Sequence, residues 1–184
     1  VAVVVYTIFF SVLLDFDTPY PYAVFVLSGI LVWGLFNYIF SQGSNALLQN
    51  QDLIRKLFFP KIILPMSKVL VALTEFVVIL LLLIALVIFT GTPLSFKLVF
   101  AIPIIGLTIL FSFGMALILS ASTIKNRDLN HIVPFLINFG IWFTPVFYPV
   151  SIIPEQYSNL LYLNPMAAFI QLFRWSLFDG AFNW

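Results

Sequence analysis

The chain has 184 residues, of which 62% are hydrophobic and 8% charged, with a formal net charge of +1. Soluble domains are about a quarter charged, so a solvated globular shell is excluded and most helix faces must meet lipid or other apolar helices. The near-zero charge gives no nucleic-acid footprint, and the absence of cysteine excludes a disulfide framework or a Cys metal site.

The first apolar run, "VAVVVYTIFFSVLL" (1–14), is shorter than the roughly 20 residues that a transmembrane helix needs. It has no basic leader and no small-residue cleavage site, so it reads as the truncated end of a span and the chain as a piece of a longer protein. "YAVFVLSGILVWGLFNYIF" predicts a second span over about 22–41, with Phe25, Gly29, Trp33, Phe36 and Phe40 on one face. A third span is expected over 69–89, interrupted only by Glu75, and a fourth over 98–122. The fifth, 132–148, is short and contains two prolines, with Phe135, Phe139, Trp142 and Phe143 forming a second aromatic stripe. In lipid, backbone groups must be paired within each segment, and these continuous runs do not alternate as barrel strands do. The fold class is therefore all-α integral membrane, in one domain.

The basic residues set the orientation. Arg55, Lys56, Lys61 and Lys68 fall between the second and third spans, and Lys125 and Arg127 between the fourth and fifth. Two spans separate these segments, so they face one side, and the excess of Lys and Arg makes that side cytoplasmic. Asp15, Asp17 and everything after residue 148 then face outward.

The cytoplasmic stretch "QNQDLIRKLFFPKIILP" (49–65) mixes charge with Leu53, Ile54, Leu57, Phe58 and Phe59. Asp52 at its front and Arg55 and Lys56 behind suit a short helix along the membrane surface, ending before Pro60. Either anionic headgroups or another protein would satisfy such a surface. Outside, prolines stand at 145, 149, 154 and 165. Pro154 followed by Glu155 suits one short helix start, and Asn164 as cap with Pro165 in the first turn suits another. Behind that cap Met166, Phe169, Ile170, Phe173 and Leu177 form an apolar stripe, with Gln171 and Arg174 off it. These outer helices, expected over about 154–178, either roof a pathway or anchor the outer end in the interface.

Catalytic chemistry is poorly supplied. There is one histidine, His131, beside the "KNRDLN" cluster, and neither a zincin motif, a nucleophile elbow nor a phosphate-binding P-loop. Glu75 is the single ionisable residue deep within a long span. It serves either a structural bond within the bundle or a transport path or subunit contact. The aromatic stripes either stack on sugar rings or pack against lipid.

Three ordered motifs, "NQDLIRKLFFPKIILP", "NRDLNHIVPFLINFGIWFTPVFYPVSIIP" and "LYLNPMAAFIQLFR", resemble the permease subunits of type-2 ABC exporters. The branch they most resemble exports O-antigen, capsule and teichoic acid. The resemblance implies six transmembrane helices preceded by an amphipathic cytoplasmic helix, acting as a homodimer in the bacterial inner membrane. The leading helix and the sixth span lie outside this chain. It also implies that ATP and Mg²⁺ are held by a separate ABC ATPase subunit, with no cofactor on this chain, and that the substrate is a lipid-linked glycan. The coupling contact would fall on 49–61, through Asn50, Asp52, Leu53, Ile54, Arg55, Lys56, Phe58 and Phe59, and on the "NRDL" turn through Arg127 and Asp128. Phe25, Trp33, Phe36, Phe139 and Trp142 would line the substrate pathway, and Pro149, Pro154, Asn164 and Pro165 would shape the outer gate. An exporter of drugs or other lipids, a membrane glycosyl- or acyltransferase and a secondary transporter are the alternatives. The last two lack the acidic or histidine constellation they would need.

Overall fold

A computed structural model describes residues 18–126, 128–154, 161 and 163–178, with the backbone alone for 124, 125 and 130–132. The first span, Asp15, Asp17, Arg127, Glu155 and the side chain of His131 thus lie outside what is described. The described residues are all-helical. Helix α1 is Tyr22–Gln49, α2 Gln51–Lys56, α3 Ile63–Thr90, α4 Ala101–Lys125, α5 Leu129–Gly140 and α6 Pro165–Leu177. Short 3₁₀ turns precede α4 at Phe96–Phe100 and follow α5 at Val150–Ile152.

Helix α1 outruns its expected end by two turns, through the polar "SQGSNALLQ". Its apolar stretch is 67% buried against 22% for α3 and 22% for the Phe96–Thr123 span, which makes α1 the central helix. α3, α4 and α6 all pack on it. The three long segments each have 28 residues, about 42 Å of helix and more than a bilayer core requires. α3 begins at Ile63, six residues earlier than the apolar run suggests, with Pro65 in its first turn where no amide partner is lost. It ends at Gly91, whose φ of 65° closes a left-handed cap with Thr92 N donating to the Val87 carbonyl.

Helices α1 and α4 cross closely at Gly43, where an added Cβ would lie 2.9 Å from Cβ of Ala116. Small residues at such a crossing let two backbones approach where lipid offers no hydrophobic drive. Several buried hydroxyls bond back to their own helix, Ser28 donating to Phe25 O and Thr108 to Ile104 O. The outward faces of α3 and α4 expose Leu70, Val78, Leu81, Ile88, Ile102 and Leu110, the side chains a lipid boundary accepts.

The helix expected over 132–148 stops at Gly140. Its 12 residues cover about 18 Å, less than a bilayer core. The chain then closes in tight turns, Thr144 N donating to Ile141 O and Val146 N to Thr144 O. Pro145 has no amide to continue the ladder, which ends the helix before the aromatic run does. Beyond Pro154, only Leu161 and residues 163–178 are described, so the first outer helix lies outside the description.

Candidate functional site

The basic connecting segment lies on the surface of the described molecule. α2 is a six-residue helix with Asp52 in its first turn, Arg55 and Lys56 in its last, and no buried residue. Each charge complements the helix terminus it occupies. Asn50 Nδ2 donates to Ala46 O and closes the end of α1. Among the described residues α2 packs on α1 alone, Ile54 and Phe59 are half-buried, and Leu53, Leu57 and Phe58 stand exposed. The helix ends at Lys56 rather than before Pro60, because Leu57 is extended. Asp128 is exposed, and Asn126 lies just past α4. Thr123 Oγ1, near the end of α4, reaches the Ser44 carbonyl near the end of α1 at 3.4 Å. The 49–61 and 126–129 segments therefore share one end of the molecule, as their two-span separation requires.

The aromatic side chains divide into two groups. On α1, Phe25, Trp33 and Phe40 are buried and Phe36 half-buried, so this stripe faces the protein. Phe36 links Trp33 at 5.2 Å, Phe40 at 5.4 Å and Phe111 of α4 at 6.3 Å between ring centroids. Trp33 also fills the space over Gly140, where a Cβ would lie 3.1 Å from its ring. Phe25 lies under Arg174 and does not reach a free surface. A cavity of about 190 Å³ opens beside this chain, lined by Trp33, Phe36, Phe111, Thr144, Asn164 and Met166 among others. On and just after α5, by contrast, Phe135, Phe139, Trp142 and Phe143 are all exposed.

Above the cavity α6 is held at both ends. Asn164 Oδ1 accepts from Met166 N as the helix cap, and its Nδ2 donates to Thr144 Oγ1 at 2.8 Å and Phe143 O at 3.3 Å. Three turns on, Arg174 is 3% exposed, although it stands off the apolar stripe. Its Nη1 donates to Pro145 O at 2.7 Å, Nη2 to Val146 O at 2.9 Å and Phe25 O at 3.0 Å, and Nε to Ser28 Oγ at 3.3 Å. The guanidinium carbon lies 3.6 Å from the Phe25 ring centroid, a cation–π contact. Among the described residues no carboxylate pairs with it. Burial pushes the Tyr20 phenol above its ordinary value and the Arg174 charge draws it partly back. Tyr20 is therefore neutral near pH 7 and supplies no anion.

Among the described residues Glu75 is not inside the bundle but on the exposed side of α3, with no hydrogen bond or ion pair. The Glu75 and Lys68 positions share a face but stand two turns apart, about 10 Å along the axis. The exposed α2 helix and the Asn164 cap are legible in sequence. The Arg174 site is not, and its one signal is a single charged residue inside a mostly apolar 13-residue helix.

A central buried helix, two lipid-suited helices around it and an exposed basic helix at one end define a multi-pass membrane protein. The chain belongs to the ABC-2 type transporter family, whose model matches residues 1–178. Membership makes it a transport subunit and implies an ABC ATPase partner. It is similar to two O-antigen export system permease proteins RfbA of Klebsiella pneumoniae, 27% and 26% identical over 98% of this chain and 70% of each relative. A third, from Myxococcus xanthus, is 32% identical over 89% of this chain and 64% of its own length.

Proposed function

We propose that the chain is the permease subunit of an ATP-driven exporter that moves an O-antigen-type polysaccharide, carried on a lipid, outward through the inner membrane. The observation that carries the reading is the match, along 98% of the chain, to permeases named for O-antigen export. The free α2 helix supports it. A six-residue helix packed, among the described residues, only on α1, with exposed basic and apolar side chains, is shaped for a protein partner more than for its own core. In this reading the permease is a homodimer, and two ATPase subunits dock on residues 50–59 and the 126–129 turn. ATP and Mg²⁺ are theirs. ATP closes the ATPase pair because it binds the closed state more tightly, and that difference drives the permease halves apart.

The exposed Phe135, Phe139, Trp142 and Phe143 are the better candidates for glycan stacking, since the α1 stripe is spent on packing. An exposed carboxylate at Glu75, half-way along a spanning helix, favours a subunit contact over a bond within the bundle. Depletion of the gene in its host tests the function. Accumulation of undecaprenyl-linked glycan on the cytoplasmic side with loss of surface polymer is expected. Normal surface polymer in a host with no second exporter overturns the glycan assignment in favour of a drug or lipid cargo.

A further inference from the structure

The four acceptors of Arg174 are of two kinds. Phe25 O and Ser28 Oγ belong to α1, and α1 does not depend on the arginine. Phe25 O already accepts the Ser28 hydroxyl at 2.7 Å, and a mid-helix carbonyl has its own amide partner four residues on. Pro145 O and Val146 O lie in the irregular run after α5, and among the described residues Arg174 is the donor to both. Irregular carbonyls in apolar surroundings have no substitute partner, so these two bonds cannot be given up cheaply. Asn164 grips Phe143 and Thr144 of the same run from the other end of α6.

We propose that Arg174 is a positioning residue that welds the 143–146 turn to α6 as one rigid piece, and that the contact of this piece with α1 is a parting seam. When the outer end opens, turn and helix move together. The bonds from Arg174 to Phe25 O and Ser28 Oγ break, and so does that from Tyr22 Oη to Phe147 O, while the bonds within the piece persist. Gly29 permits the seam to close, because a Cβ there would lie 2.7 Å from Nη2 of Arg174. The opening itself rests on the export reading, but the weld does not.

Hydrogen exchange on the full-length permease in lipid nanodiscs tests the weld. Arg174→Lys keeps the charge but cannot serve four acceptors. It is expected to speed exchange across 141–148 about tenfold while 22–31 changes less than about twofold. Equal acceleration of the two segments overturns the weld. Should that variant fail to fold, Asn164→Ala is expected to accelerate the turn and Ser28→Ala neither segment, and the reverse pattern overturns it equally. Spin labels on Cys-substituted pairs then test the seam in the complex with its ATPase, with and without trapped ATP. The Ile30–Gln171 distance is expected to lengthen and the Phe143–Gln171 distance to hold. A change within the second pair, or none in either, overturns the seam. Failure of any ATPase to co-purify counts against the export reading, and the exchange result still decides the weld.

Discussion

Gly29 and Arg174 meet where a single methyl group would not fit. A Cβ on Gly29 would stand 2.7 Å from Nη2 of Arg174, 3.0 Å from the Val146 carbonyl oxygen and 3.2 Å from Val146 Cα. Two of these three neighbours are backbone and cannot swing aside. The Gly29→Ala permease is therefore expected to lose about 1–3 kcal/mol, the usual cost of overpacking. Its thermal midpoint in detergent checks this. Gly34→Ala, on the same helix with open space around it, serves as the control and is expected to hold or gain stability.

Asn164 carries two duties with one amide. Removing it in Asn164→Ala leaves Met166 N without its cap and frees Thr144 Oγ1 from its donor. The sum of a lost cap and a lost bond is expected to cost about 1–3 kcal/mol. Asn164→Asp keeps the cap oxygen but not the donor, and is expected to recover about half of the thermal shift. Full recovery would show that the tether to Thr144 contributes nothing.

Trp33 and Trp142 are expected to part company on replacement by alanine. Trp33 is 6% exposed, in ring contact with Phe36 and over Gly140, so its loss opens a hole worth roughly 3–5 kcal/mol. Trp142 is 55% exposed, and its replacement is expected to leave the thermal midpoint nearly unchanged while slowing glycan export. Equal export by the Trp142→Ala and native proteins would reduce that side chain to lipid packing.

Charge reversal on α2 separates docking from folding. Arg55 and Lys56 are exposed, on a helix with no buried residue, so the double change Arg55→Glu with Lys56→Glu is expected to leave the permease folded. It also places two acidic groups at a helix C-terminus, each unfavourable by about 0.3–1 kcal/mol. The ATPase is expected to dissociate. Co-purification of the two subunits at native yield would remove α2 from the coupling contact.

Glu75 offers a test of what surrounds the molecule. With no partner among the described residues, Glu75→Gln is expected to shift the isolated permease by less than about 0.5 kcal/mol. The same change is expected to weaken subunit association, read by cross-linking in the membrane. A large loss of stability in the monomer with association unaltered would place its partner within the chain.

Much of this architecture is written in local pattern. Apolar runs long enough to cross a bilayer announce α1, α3 and α4, because lipid leaves the backbone no partner but its own helix. The Asn164–Pro165 start of α6 and the polarity of α2 follow equally from neighbours in sequence. Run length, on the other hand, says nothing of where a helix gives way to turns. The aromatic run continues past Gly140, but the helix does not, since the backbone around Pro145 finds its donor in Arg174, 29 residues away.

The sequence by itself determined that this is a helical membrane protein, which end carries its basic segments, and which short helix stands free there. Those properties depend on composition and on spacings within one element. Tertiary structure alone decided that α1 is central, that its aromatic face is packing, that Glu75 looks outward and that Arg174 is buried. Each of these depends on what another helix brings to the same place, and Arg174 depends on it most. A hydrophobic stripe assigns an arginine to the solvent face unless some distant carbonyl is there to receive it. Here those carbonyls come from Phe25, 149 residues away in sequence, and from Pro145 and Val146.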